Sequence, residues 1–262
     1  MTPGHHLDEM RAAAPLVHVI TNYVAMNATA NVALAAGASP AMIHAREEAA
    51  EFAALAGALT VNIGTLSPPW VRAMAEAATA ARGAGRPWVL DPVAVGATAY
   101  RREVGARLLA LSPDVVRGNA SEIIALAGRS AAGRGVDAGD AVDAAETAAR
   151  ALAERTGGVI AVTGEIDLVT DGTRTARIAN GHPLMSRVTA LGCSLTGLVG
   201  AFVALGGDRF ERTVAALACF AVAGERAAAG ADGPGTLAVR LLDALHGLDA
   251  ATLDAAARIE RA

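Results

Sequence analysis

The sequence predicts an α/β fold in which a mostly parallel sheet is covered on both faces by helices, and three observations predict it. Short apolar runs alternate with helix-length segments through the first two thirds of the chain. Within the runs, apolar residues are consecutive, as in strands buried on both faces, where a half-solvated strand would alternate. Residues able to do chemistry recur directly after those runs, at the strand ends where parallel sheets bind ligands.

Each element has its own signal. Residues 16–21 (LVHVIT) read as a buried strand, followed by a helix over 24–35 that Gly37 ends. A second strand at 59–63 (LTVNI) leads to a helix over 68–82 with proline in its first turn, where the missing N–H costs nothing. Residues 87–90 (PWVL) run into Asp91-Pro92, a glycine-containing loop and a helix near 102–111. A short strand at 114–117 precedes a helix from 120 to 127. Residues 128–139 are small, polar and glycine-rich, and read as a loop. An Ala-rich helix over 141–156 then leads to the strand 158–163 (GVIAVT). Two short runs, 167–170 and 173–178, flank Asp171-Gly172, which signals an antiparallel hairpin. Helices dominate from Cys193 onward. Residues 1–262 are expected to form one domain, as α/β chains of this length commonly do.

Composition narrows the function. Hydrophobic residues make up 53% of the chain but aromatic ones only 3%, so alanine-rich helices pack closely on the sheet. The net charge is −4 and no basic run occurs, which disfavours nucleic acid or an anionic membrane as partner. No apolar stretch reaches membrane-span length, and Asp8, Glu9 and Arg11 occupy the place where a signal peptide would be apolar. Two cysteines cannot build a disulfide framework, so a reduced, cytoplasmic protein is expected.

The most informative stretch is 188–197 (VTALGCSLTG), a small-residue turn that opens an apolar helix. Such a helix start offers unpaired N–H groups and a positive dipole end, a place for phosphate, and Cys193 sits where that field is strongest. The helix terminus is expected to lower the thiol from its usual value of about 8.5. Asn22, residues 62–65, Asp91, residues 117–119, Thr163 and residues 190–193 all fall at strand ends. Asp91 and Glu122 are close enough in this scheme to share a hydrated cation. Plainer explanations stand beside these: a loop cap for Asp91, a capping box of Asn119 with Glu122, a strand-ending turn at Thr163, and a buried thiol at Cys193. Cys219 reads as core, His5-His6 as an inert frayed terminus, and His18 as a core or strand-mouth histidine. His182 is the one imidazole near Cys193 in sequence, which a thiol hydrolase would need. No Walker motif and no Gly-x-Gly-x-x-Gly after the first strand are present, which argues against P-loop and dinucleotide-binding folds.

Taken together these residues resemble the hydroxyethylthiazole kinase family, a branch of the ribokinase-like superfamily. The matching segments are 20–24 (ITNYV), 26–27, 37–42 (GASPAM), 62–66 (NIGTL), 91–98 (DPVAVGAT), 117–122 (RGNASE), 162–165, 180–185 (NGHPLM) and 192–196 (GCSLT). The resemblance implies a three-layer α/β/α ribokinase-like sandwich, assembled as a homotrimer with active sites between subunits. It implies ATP-dependent phosphorylation of the primary hydroxyl of 4-methyl-5-(2-hydroxyethyl)thiazole, a step in thiamine salvage. By motif position it implies Arg117 and Thr163 at ATP, and Asp91 and Glu122 organising Mg²⁺ and its waters. Met42, Asn22 and Ala190 would lie toward the thiazole, and Gly192 and Cys193 in an anion hole formed by N–H groups of residues 192–194. Cys193 then stands where related kinases place an aspartate base, and would assist by position and modest basicity without a covalent intermediate. Two places depart from the family's pattern: Ala190-Leu191 where Gly and Thr are usual, and Ala94-Val95 in place of Gly-Ala. The alternatives are a kinase for another small heteroaromatic alcohol, a dehydratase, a thiol hydrolase, or a non-catalytic nucleotide-binding protein.

Overall fold

The computed structural model describes residues 1–128 and 138–262. In chain order the elements are α1 (Pro3–Ala13), β1 (Leu16–Ile20), α2 (Met26–Ala36), β2 (Ser39–Ala41), α3 (Arg46–Leu55), β3 (Ala58–Asn62) and α4 (Pro68–Gly83). There follow β4 (Trp88–Asp91), α5 (Ala99–Leu109), β5 (Val115–Asn119), α6 (Ala120–Leu126), α7 (Ala138–Thr156), β6 (Val159–Thr163), β7 (Asp167–Thr170) and β8 (Thr175–Ile178). A 3₁₀ turn at Pro183–Arg187 leads to α8 (Leu191–Val203), α9 (Arg209–Ala228), α10 (Pro234–Gly247), α11 (Ala250–Ala256) and β9 (Ile259–Arg261). Residues 129–137, most of the glycine-rich stretch expected as a loop, lie outside the described residues.

One sheet runs β2-β1-β3-β4-β5-β6-β7-β8-β9. The first six strands in that order are mutually parallel, and β7, β8 and β9 continue it antiparallel. Successive strand residues face opposite layers, which is why consecutive apolar residues were required. Val115 and Val159 pack with α1, α2 and α8–α11, whereas Val116 and Ile160 pack with α3–α7. The three-layer sandwich follows from that alternation.

Helix α8 is buried nearly throughout, and its glycines set its depth. A Cβ at Gly200 would stand 2.4 Å from Thr60 Cγ2 of β3, and one at Gly197 would stand 2.7 Å from Thr29 Cγ2 of α2. Without side chains there, the helix backbone settles directly onto the sheet and carries its N-terminus to the strand tips.

Two expectations need correction. The N-terminus is no frayed tail: residues 3–13 form α1, and Arg11 donates from Nη2 to Leu245 O at 2.6 Å. His6 is buried rather than idle at a surface, with neither ring nitrogen hydrogen-bonded. Helices α8–α11 dominate from Cys193 onward as expected, and the three-residue β9 at their end returns to pair with β8. Strand β2 and helix α3 also carry too little periodic pattern to read in advance: β2 is three residues with a central proline, and α3 buries only Ala49 and Ala53. No helix among the described residues is long and apolar enough to cross a membrane.

Candidate active site

The parallel strands deliver polar residues side by side at their carboxyl ends. Asn62 stands opposite Asp91 in the β3–β4 register, and Asn119 opposite Thr163 in the β5–β6 register. Asp91 is fully buried. Its Oδ2 accepts from Asn62 Nδ2 at 2.6 Å and from Thr196 Oγ1 at 2.8 Å, while Oδ1 is buried without a hydrogen-bond partner. Arg117 Nη1 lies 3.7 Å from Oδ2, and Arg117 Nη2 donates to Thr163 Oγ1 at 2.6 Å. Burial pushes the Asp91 carboxyl above its ordinary range; Arg117 opposes that shift and the charge of Glu122 adds to it.

Glu122 fills the capping part that sequence assigned to it. Asn119 Oδ1 accepts from Glu122 N at 3.0 Å, and Glu122 Oε2 accepts from Asn119 N at 2.8 Å, a complete capping box on α6. Its Oε1 accepts from Ala94 N at 2.8 Å, which ties the β4–α5 loop to the carboxylate. Ala94 holds a positive φ of 53° to present that N–H. The charge of this helix-capping residue also acts on the buried Asp91.

At α8 the N-cap is Ala190, at φ 66°, with no side-chain cap. Ser194 N donates to Ala190 O, so the free N–H groups of the first turn are those of residues 191–193; Ser194, included in the expected anion hole, has none to give. A Cβ at Gly192 would stand 2.9 Å from both Nη1 and Nη2 of Arg117. A guanidinium therefore rests directly on a helix N-terminus, with the buried carboxylate of Asp91 3.7 Å from its Nη1.

Cys193 Sγ accepts from Asn22 Nδ2 at 3.2 Å. The same Nδ2 donates to Asn62 Oδ1 at 2.9 Å, and Asn22 Oδ1 accepts from Val24 N and Ala25 N. The lowered thiol expected from the helix terminus is not found. Burial pushes Cys193 up first and the negative charge of Asp91 adds to this, outweighing Asn22, Asn62 and Arg117. Taking the thiol partly out of water disfavours the charged thiolate, and a nearby carboxylate disfavours it further. Its hydrogen-bond partner is an amide and no imidazole is bonded to it, which removes the basis for a thiol hydrolase; His182 instead caps the 3₁₀ turn, accepting from Leu184 N.

A cleft of about 770 Å³ opens beside this group, lined by Arg117, Thr163, Gly164, Asp167, Leu191 and Gly192 among others. Asp167 is a residue that sequence reasoning missed, because its place in a hairpin strand hides it; its Oδ1 accepts from Gly164 N, and burial pushes it up to about 6. Thr196 likewise reads as a helix interior residue, and only the packing of α8 on β4 brings it to Asp91. Asn62 was legible from its strand-tip position. Asn22, Asp91, Arg117, Glu122, Thr163, Ala190, Gly192 and Cys193 are thus brought together. Met42 stands further out, after β2: its carbonyl accepts from His44 Nδ1 at 3.2 Å, and His44 Nε2 accepts from Thr21 N next to Asn22. No group of three or more His, Cys, Asp or Glu able to hold a metal occurs among the described residues.

A smaller polar cavity of about 250 Å³ lies at the other end of the strands, with Arg82, Arg86 and Arg209. It is framed by the C-termini of α4, α5 and α7, and Arg82 donates to Leu111 O. Arg82 and Arg86 answer carbonyls and Arg209 pairs with Asp114 at 3.0 Å, so the cations at this end are already engaged.

Comparison with known proteins agrees with this geometry. A family model described as the hydroxyethylthiazole kinase family matches residues 7–251. The chain is 64% identical over 259 residues to a hydroxyethylthiazole kinase of Cereibacter sphaeroides, covering 99% of this chain and 98% of that one. It is 64% identical over 262 residues to one from Rhizobium leguminosarum, covering 100% and 98%. The solved hydroxyethylthiazole kinase of Pyrococcus horikoshii superposes with a TM-score of 0.92 at 40% identity, covering 99% and 98%. A ribokinase-like superfamily protein of Enterococcus faecalis, 11% identical with a TM-score of 0.67 over 92% and 93%, shares the fold. With a family model spanning nearly all of it and relatives of such identity along its full length, this chain belongs to the hydroxyethylthiazole kinase family.

Proposed function

We propose that this protein transfers the γ-phosphoryl group of ATP to the primary hydroxyl of 4-methyl-5-(2-hydroxyethyl)thiazole. The observation that carries the reading is the Arg117 guanidinium packed on Gly192 at the α8 N-terminus, beside a 770 Å³ cleft. A guanidinium and a helix N-terminus side by side, facing the cleft, suit a triphosphate, which carries more negative charge than the one buried carboxylate of Asp91 beside Arg117. Arg117 and Thr163 line the cleft on the nucleotide side. The N–H groups of Gly192 and Cys193 are placed for the transferring phosphoryl group. Asn22, Met42 and Ala190 lie toward the alcohol.

The residues present fit Mg²⁺ as the metal of the reaction. Asp91 Oδ1 is buried without a partner and Glu122 lies close by, and hard oxygen donors of this kind suit an ion that keeps most of its waters. When bound, Mg²⁺ would neutralise phosphate charge. In the transfer, the alcohol oxygen bonds to the γ-phosphorus as the bond from that phosphorus to the β-phosphate oxygen breaks, and ADP leaves. The hydroxyl proton departs late in a loose transition state, so no strong base is required. Cys193, kept a neutral thiol by its raised pKa, positions the hydroxyl, and the hydroxyl proton leaves to solvent after the P–O bond has formed.

The apolar surroundings of Met42 and Leu191 suit a small heteroaromatic alcohol better than a sugar, whose hydroxyls would each need a polar partner. A homotrimer with sites between subunits fits the exposure of Tyr23 and Val24, 64% each, directly after Asn22. A cytoplasmic location suits two free cysteines. The test is ADP release from Mg·ATP with a panel of small alcohols. Stimulation by the thiazole alcohol with formation of its phosphate ester supports the reading; no stimulation by any alcohol would favour nucleotide binding without catalysis.

A further inference from the structure

One amide joins the two halves of this site. Asn62 Oδ1 accepts from Asn22 Nδ2 at 2.9 Å and from Gly64 N at 2.9 Å, while Asn62 Nδ2 donates to Asp91 Oδ2 at 2.6 Å. The side chain cannot be flipped, since reversal would set its oxygen against the Asp91 carboxylate and its NH₂ against two donors. Asn22 is determined in the same way. Its oxygen accepts two backbone N–H groups, so its NH₂ must point at Asn62 and at Cys193 Sγ. A Cβ at Gly64 would stand 2.7 Å from Asn22 Nδ2, so the β3–α4 loop closes directly over this pair.

Asn62 is itself only 2% exposed, at the last position of a central strand, and moves little. From there it sets which oxygen of Asp91 remains unpaired: Oδ2 is taken by Asn62 and Thr196, leaving Oδ1. It also sets the direction from which Asn22 meets the thiol. The two ends of this chain of bonds are the alcohol-side thiol and the phosphate-side carboxylate. A plain structural role, satisfying one loop N–H, would use Gly64 alone and leave the other two bonds without purpose.

We infer that Asn62 is a positioning residue for phosphoryl transfer, holding Asn22 and Cys193 in register with Asp91 through a single locked amide. The inference rests on the proposed kinase reading. A misplacement of about 1 Å among reacting groups costs roughly a hundredfold in rate, which is the scale expected on removing the bridge. The substrates themselves are held by other residues, so the loss should fall on turnover.

The experiment compares Asn62→Ala, Asn22→Ala and the double variant with the unaltered protein. It measures kcat, KM for ATP and, without substrates, the rate of Cys193 alkylation by iodoacetamide. The expected result for Asn62→Ala is a kcat lower by about a hundredfold with KM for ATP within about threefold, and an altered alkylation rate. The double variant should be no worse than the poorer single one, because both break the same bridge. A folded Asn62→Ala protein with kcat within about threefold of the original, or a loss confined to KM, overturns the inference. Should Asn62→Ala not fold, Asn62→Ser, too short to bridge both partners, is read the same way. If the unaltered protein does not phosphorylate the thiazole alcohol, the kinase reading fails by itself, and alkylation of Cys193 still reports whether Asn62 orients the thiol.

Discussion

The guanidinium of Arg117 lies against Gly192 so closely that a Cβ there would approach both of its Nη atoms to 2.9 Å. Glycine is required at this position by a neighbour's side chain, since the backbone itself is ordinary helix. Gly192→Ala should therefore push the guanidinium away while leaving α8 intact. The expected outcome is a fall in kcat/KM for ATP of roughly a hundredfold, about 2.7 kcal/mol, with little change in thermal midpoint. Steady-state kinetics with varied ATP checks it; an unchanged kcat/KM would separate Arg117 from the phosphates.

Ala94 and Ala190 both have positive φ, 53° and 66°, a backbone conformation that favours glycine. An alanine in the left-handed region costs about 1 kcal/mol or more, partly offset by the greater unfolded-state freedom of glycine. Ala94→Gly is expected to leave stability unchanged or raise it by up to about 1 kcal/mol. Ala190→Val, which adds β-branching at the same dihedral, should lower it by about 1–2 kcal/mol. Urea unfolding of both variants decides the matter, and a stabilising Ala190→Val would contradict the strain assigned here.

Cys193 should behave as an unreactive thiol. Burial and Asp91 push its pKa up, so alkylation at pH 7 should be slower than for a free cysteine and should accelerate only in alkaline solution. Cys193→Ala should lower turnover, and Cys193→Asp should keep or raise it by supplying a group that is ionised at neutral pH and can accept the proton. Rapid alkylation at neutral pH would show a thiolate, and a trapped phosphoryl-cysteine would replace the non-covalent account.

His18 supplies a pH dependence of stability. It is fully buried in β1, Nε2 bonds to Ile43 O, Nδ1 has no partner, and burial pushes its pKa down to about 4. The unfolded chain, with an ordinary histidine near 6.5, takes up the proton first as pH falls. Stability from this group is thus complete above about pH 6.5 and is lost progressively toward pH 4, by an amount on the order of 3 kcal/mol. Urea midpoints between pH 7 and 4.5 should fall more for the unaltered protein than for His18→Gln; equal slopes would place the titration elsewhere.

The parts of the molecule legible in the sequence are those governed by local chemistry. Buried parallel strands announce themselves as apolar runs, Gly37 ends α2 at φ 107°, and Asn119 with Glu122 forms the capping box its spacing suggests. What escaped depends on packing between distant segments. Thr196 reaches Asp91 only because Gly197 and Gly200 let α8 sink onto the sheet, and burial, with the charge of Asp91 adding to it, raises Cys193 where a lowered thiol was expected. Strand β9 is three residues that gain their identity from β8. In each case the deciding neighbour is far along the chain.

The central claim is that strand tips and the α8 N-terminus close around one nucleotide-and-alcohol pocket. The most direct measurement is a crystal structure with a non-hydrolysable ATP analogue, Mg²⁺ and the thiazole alcohol. The account predicts the γ-phosphate between Arg117 and the N–H groups of Gly192 and Cys193, with the hydroxyl facing it beside the Cys193 thiol. A nucleotide bound away from Arg117, or an alcohol out of reach of Cys193, would contradict it.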